Sequence, residues 1–375
     1  VLLIMRNKFI EEKRKADARV EWAIKNKVQW INPTISPAPK DVENKEIESL
    51  RKAMDYFAPY TDTLVLQTKY MGSYCCMYLN KDHSKSYFVS RNGYVINHVE
   101  GLHKASEKLQ KQLFYLDTME WVIVESELMP WRALGKGLID EEYGNYGYLH
   151  QSHLNYLKNS SILNKVEKIR IDSPWKKEGL KQHEVRQYNS LRDLNIINYQ
   201  ESIDLYLKQL SIFGKDTEIE FKPFNVLKTI FSDGREIFST KQETSLNSQD
   251  SLIVDVSDYK TAYAFLEKHK ELNQEGIVVK PLKQQLINIA PCFKVRTNNY
   301  LQLIYGVNFD RDFDYYLEKR NISSKLRQSI SDYETAIQML RTPYVKIDNK
   351  NTMYKNLIYK AIDAENFTKT LDTRL

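Results

Sequence analysis

The glycine-rich phosphate loops that hold nucleotides in many enzymes are missing from this sequence. No GxxxxGKS/T occurs and no GxGxxG follows a strand pattern, so a run of backbone amides cradling phosphate is not expected. No GxSxG marks a serine nucleophile. His150 and His153 stand close together without an HExxH or a companion set of cysteines, which argues against zinc. Cysteine is scarce, with 3 in 375 residues. The adjacent Cys75 and Cys76 cannot build a disulfide framework, so they read as strand packing and the compartment as a reducing cytoplasm. The apolar opening run, 1–5, is far too short for a bilayer, so neither a membrane partner nor a signal peptide is expected. No repeat or low-complexity tract is visible. The first residue is Val1 rather than methionine, from which a piece of a longer polypeptide is expected.

What is present is ordinary in bulk and specific in detail. Hydrophobic residues make up 42% and charged residues 28%, the composition of a folded globular chain. The 55 Lys and Arg against 49 Asp and Glu give a net charge of +6, which permits a polyanionic ligand without demanding one. The length predicts one large domain with inserted or appended modules. A basic helix is expected over 10–28, a stiff proline-bearing loop over 32–39 and a second helix over 45–57. Alternating β-branched and aromatic residues then predict a strand, turn and strand through TLVLQTKYMGSYCCMYL. Further strands are expected at 87–96, 121–129, 218–231, 276–282 and 292–297. Between 133 and 214 the pattern is helical, and it is helical again from 300 to 375.

Single charged residues recur at the ends of these strand patterns: Lys69, Arg91, Glu127, Glu275, Lys280, Lys294 and Arg296. Each alone reads as a solvated strand end. The order is the informative object: KYMG, SRNG, ESELMPW, FKPFN, EGIVVK and FKVR. It resembles the covalent nucleotidyltransferase superfamily of ATP-dependent DNA and RNA ligases and capping guanylyltransferases. Within it, KYMGS, SRNGY, the proline loop, ELMPW and the tail YLQLIYG resemble the C-terminal ligase domain of bacterial polynucleotide kinase-phosphatase, an RNA-repair enzyme. The resemblance spans nearly the whole chain. The expected fold is α+β: a nucleotidyltransferase (ATP-grasp-like ligase) domain of antiparallel sheets over 1–297, with a helical insertion at 135–215, followed by a helical C-terminal module at 298–375.

The resemblance makes KYMG the nucleotidyl-accepting motif and Lys69 the catalytic residue that becomes attached to AMP from ATP. A lysine amine attacks only when deprotonated, so such a site needs burial or neighbouring cations. Lys294 and Arg296 alternate in FKVRT and project from one strand face, where they are expected to grip the α-phosphate. By the same resemblance Glu127 and Glu275 hold Mg2+ or Mn2+, with Glu127 also reaching the ribose. Phe224 is expected to stack on adenine, with Phe221 as its competitor, and Gln67 to face the adenine edge. Arg91 is expected on the ribose or the RNA end, and Lys280 in the nucleotide pocket. Gly72 lets the chain pass close to the phosphates. Two departures stand out: Met71 where superfamily members often carry aspartate, and Tyr74 where they carry arginine; either Arg91 or Arg132 compensates or adenylylation is weakened.

The implied reaction is adenylylation of an RNA 5′-phosphate and sealing of the strand. The implied partners are RNA with broken ends, a 3′-terminal RNA ribose methyltransferase, and kinase and phosphatase domains upstream on the same polypeptide. The insertion and the C-terminal helices are candidates for the partner interface, or else internal core. A GTP-dependent capping-type guanylyltransferase and a non-catalytic nucleotide-binding scaffold remain as alternatives.

Overall fold

The computed structural model describes residues 2–161 and 196–370. The expectation of helix over 162–195 lies outside the described residues. Helices are α1 (Leu2–Lys25), α2 (Leu50–Phe57), α3 (Leu102–Leu113), α4 (Arg132–Gly137), α5 (Asn145–Asn159), α6 (Ile196–Phe213), α7 (Tyr259–Glu271), α8 (Asn298–Tyr305), α9 (Phe313–Lys319), α10 (Ser323–Arg341) and α11 (Thr352–Thr370). The strands form two five-stranded sheets. The first runs β1 (Ser36–Pro37), β10 (Phe293–Arg296), β9 (Gly276–Pro281), β2 (Thr63–Lys69), β8 (Ser251–Asp255). The second runs β4 (Tyr87–Ser90), β3 (Ser73–Asn80), β5 (Met119–Met129), β6 (Glu220–Phe231), β7 (Glu236–Phe238). All pairings are antiparallel except β1 with β10. The expected α+β class and antiparallel sheets are therefore present.

One connection positions the site. β2 belongs to the first sheet and β3 to the second, so residues 70–72 carry the chain from one sheet to the other. Lys69 is the last residue of β2, at that crossing. Successive strand residues face opposite ways, and the adjacent cysteines show it: Cys75 enters one core with Phe88 and Leu102, and Cys76 enters another with Val20 and Ile337. Both thiols are buried, as the packing reading required.

The C-terminal segment is helical across its described part. Its helices α10 and α11 share a core with α1 and the second sheet, through Ala336, Ile337, Tyr354 and Ile358 against Val20, Ile24, Tyr78 and Ile123. Helices α5 and α6 pack on α8 through Leu154, Ile203, Tyr206, Tyr300 and Leu303.

Several boundaries differ from expectation for local reasons. The helix expected from 45 begins at Leu50, because 41–46 forms a bridged turn with Lys45 at φ 54° and Ser49 caps the helix by accepting from the Lys52 amide. The strand expected over 87–96 ends at Ser90, where a turn with Gly93 at φ 79° folds Val95 back onto Val89. The pattern also gave no signal for α3, α7 or the edge strand β8.

Candidate active site

Between the two sheets lies a cavity of about 460 Å³, in the range of nucleotide pockets. It brings together Gln67, Lys69, Gly72, Arg91, Glu127, Phe224 and Lys280 of the expected set. Glu275, Lys294 and Arg296 are not in its wall.

Glu275 reaches the site through Lys69. The Lys69 ammonium Nζ lies 2.7 Å from Glu275 Oε1; the lysine side chain keeps 23% of its exposure and the glutamate 3%. The backbone makes this contact possible, because Lys69 pairs across the sheet with Gly276. Gly276 has φ 143°, and a Cβ there would collide with the Val295 carbonyl, so only glycine fits next to Glu275. Gly72 is as constrained, since a Cβ would lie 2.7 Å from Glu127 Cγ and from the Leu128 carbonyl. Its amide instead donates to Glu127 Oε1 at 3.2 Å, fixing that carboxylate over the crossing. Burial pushes the Glu127 carboxyl up to about 7, opposed by Lys69 and reinforced by the Glu275 charge. Glu275 Oε2 is sealed from solvent without a hydrogen-bond partner among the described residues.

A third carboxylate, unanticipated from sequence, sits deeper. Glu125 lines the cavity and is buried, accepting from Trp30 Nε1 at 3.1 Å, the Tyr74 hydroxyl at 3.0 Å and Asn225 Nδ2 at 3.0 Å. Desolvation raises its carboxyl, and these donors with Lys280 act against that rise. The ESELMPW string held the signal, because Glu125 and Glu127 are two apart on one strand and share a face. Trp30, on the loop before β1, gave none. Tyr74 thus meets a carboxylate, and burial holds its phenol protonated. Phe224 packs against Tyr74 with centroids 6.2 Å apart and carries Lys280 Nζ over its ring at 5.2 Å. The competitor Phe221 stacks on Phe88 instead, packed against the core beside α3. Gln67 donates Nε2 to the Phe224 carbonyl at 3.3 Å.

Arg296 is engaged elsewhere. Its backbone amide and Nε donate to Glu48 at 2.9 and 3.0 Å, and Arg320 joins the same carboxylate at 2.5 Å. The two guanidiniums outweigh the burial of Glu48 and hold its carboxyl down at about 2. Lys294, two residues earlier on β10, is pushed well below the usual lysine range by burial and then by Arg296, with Lys69 contributing. Arg132 pairs with Asp140 at 2.8 Å. His150 and His153 both turn Nδ1 to the Tyr199 hydroxyl, at 2.7 and 3.2 Å.

Two facing antiparallel sheets joined at a lysine, with a nucleotide-sized cavity between them, define the nucleotidyltransferase fold of ATP-dependent ligases. Residues 20–350 match the family described as PNKP adenylyltransferase domain, ligase domain. A chain solved as "Structure of Pnkp1/Rnl/Hen1 complex" is 38% identical, with 97% of this chain and 100% of that chain covered and a TM-score of 0.88. A second, from "Structure of the Pnkp1/Rnl/Hen1 RNA repair complex", is 38% identical over 97% and 100%, with a TM-score of 0.84. Among curated proteins, none matches. The chain belongs to the PNKP adenylyltransferase ligase-domain family, and it is an ATP-using adenylyltransferase of the ligase class.

Proposed function

We propose that this domain seals RNA ends through a covalent lysyl-AMP. The Lys69 amine attacks the α-phosphorus of ATP; the P–N bond forms, the bond to the bridging oxygen breaks, and pyrophosphate leaves with the electron pair. An RNA 5′-phosphate oxygen then takes the AMP, and a 3′-hydroxyl displaces it to close the strand. The observation that carries this reading is the Lys69–Glu275 contact of 2.7 Å at the crossing between the sheets, beside a nucleotide-sized cavity. Attack requires the free amine, and Glu275 is the group in contact that orients it. Lys294 is the proposed phosphate cation and Arg296 the residue that holds β10 in place. Phe224 offers the face for the base, Gln67 and Lys280 border it, and Arg91 stands at the exposed rim for ribose or RNA.

A divalent cation fits Glu127 and Glu275, because one carboxylate oxygen there is sealed without a partner and the other carboxyl is disfavoured as an anion until a cation arrives. Two carboxylates with phosphate oxygens and water suffice for Mg2+ or Mn2+. Such an ion would neutralise charge on the triphosphate.

The similar chains come from Pnkp1/Rnl/Hen1 complexes, one of them titled an RNA repair complex, which supports broken RNA as substrate and a multi-protein assembly. The partner proposed is a 3′-terminal RNA ribose methyltransferase, with kinase and phosphatase domains upstream on the same polypeptide. No helix among the described residues is long and apolar enough to cross a membrane; the proposed compartment is the bacterial cytoplasm. Incubation with α-labelled ATP and Mg2+ tests the reading. Label should survive denaturing electrophoresis in the native chain and vanish in Lys69→Ala. A GTP-only adduct would indicate capping chemistry, and label in Lys69→Ala would place the nucleophile elsewhere.

A further inference from the structure

We infer that Gln242 reads the 6-amino edge of the purine and so sets the preference of this site for ATP. The inference rests on the proposed nucleotide site and deepens it. Apart from Asn32, whose backbone amide donates to the Arg91 carbonyl, the cavity wall carries four carboxamides, Gln67, Asn225, Gln242 and Gln284. Three are committed to the protein. Gln67 donates to the Phe224 carbonyl. Asn225 donates to Glu125 at 3.0 Å and accepts from Gln284 at 2.8 Å. Gln284 donates further to the Lys241 carbonyl at 2.6 Å. Gln242 differs: its Oε1 is sealed from solvent and has no hydrogen-bond partner among the described residues.

Its backbone is held as firmly as the others. The Gln242 amide donates to the Leu282 carbonyl at 2.8 Å, the Gln284 amide donates to the Thr240 carbonyl at 2.8 Å, and Lys241 bridges to Lys283. The side chain therefore projects from a clamped strand-like segment beside the chain that leaves Lys280, whose ammonium lies over Phe224. A buried acceptor without a partner is costly unless a ligand supplies the donor.

Charge decides which part of a nucleotide lies here. The triphosphate belongs with Lys69, Lys294 and a cation at Glu127 and Glu275, which leaves the Phe224 end for the base. A carboxamide pairs with a purine that presents an amino donor beside a ring-nitrogen acceptor, the geometry by which glutamine recognises adenine. A purine without the amino group leaves Oε1 unpaired, and guanine places a carbonyl oxygen where the donor is needed.

The test compares ATP with purine riboside 5′-triphosphate, which lacks only the 6-amino group, as labelling substrates for Lys69. Because both are measured on the same preparation, their ratio of labelling efficiency is independent of how much of a variant is folded. The native chain should favour ATP by about tenfold. Gln242→Met, which keeps the length and loses both polar atoms, and Gln242→Ala should bring the ratio close to one by slowing ATP rather than by speeding the analogue. One unchanged ratio in all three proteins, or a native chain that labels equally with both nucleotides, overturns the assignment to Gln242 while leaving the lysine chemistry standing. Failure to label with either nucleotide overturns the lysine reading and this inference with it.

Discussion

Two clusters of buried charge meet at one end of the β9–β10 pair and are built to opposite ends. Around Glu48 the carboxylate is answered: it is fully enclosed and takes Arg296 and Arg320 together, although Arg320 Nε is buried without a partner among the described residues. Around Lys69 the charges are left open, with Glu275 Oε2 unpartnered and the Glu127 carboxyl raised to about 7. Gly276 faces both Lys69 and Arg296 across the sheet, so the two clusters share one backbone. A closed cluster holds strands in register. An open one waits for a ligand of complementary charge, and in this ligase-domain family that ligand is ATP.

Replacement of one anchor from each cluster should separate the two roles most sharply. Lys69→Ala should abolish the AMP adduct at a smaller cost in stability, because it leaves the single buried Glu275 carboxylate without a lysine that is itself partly exposed. Glu48→Ala should do the reverse in kind, lowering stability by about 3–5 kcal/mol by stranding two buried guanidiniums. Urea unfolding alongside adduct labelling checks both. If Glu48→Ala proves as stable as the native chain, the cluster is not the fastener described.

Acid titration gives a smaller effect with opposite signs for the two clusters. Glu48 is depressed from 4.5 to about 2, so its stabilisation is complete above about 4.5 and is lost as the pH falls toward 2. Glu127 is raised from 4.5 to about 7, so the folded state holds its proton longer and stability falls as the pH climbs from about 4.5 to 7. The windows do not overlap. Unfolding free energy against pH in metal-free buffer should lose its upper slope in Glu127→Gln and keep its lower one.

The open cluster was more legible in the sequence than the closed one. Lys69, Gly72, Glu127 and the Glu275–Gly276 pair lie in short strings where strand ends, glycine and charge coincide, and strand period two places them. Glu48 lies on a loop 248 residues from Arg296, and no local pattern links them. The α3 helix escaped because two of its four buried positions are Ser106 and Gln110, which thins the apolar stripe. In α7 only Ala262 and His269 are fully buried, and His269 is tied to Thr68 beside Lys69. Tertiary contacts, rather than periodicity, decide these elements.

Tyr74 sharpens the comparison at the lowest energy. It occupies the place where an arginine was expected, and an arginine beside Glu125 would have made a second closed ion pair. With tyrosine the carboxylate receives a neutral donor instead, and its charge remains available to Lys280, whose ammonium lies over Phe224. Tyr74→Phe should therefore cost about 1 kcal/mol of stability, the worth of one hydrogen bond whose acceptor keeps Trp30 and Asn225. Labelling by ATP should weaken only slightly, since the ring that packs on Phe224 is retained. Tyr74→Arg should instead lose labelling, because a guanidinium would draw Glu125 away from Lys280. If Tyr74→Arg labels as well as the native chain, the coupling of Glu125 to Lys280 has no part in nucleotide binding, and Tyr74 is a packing residue alone.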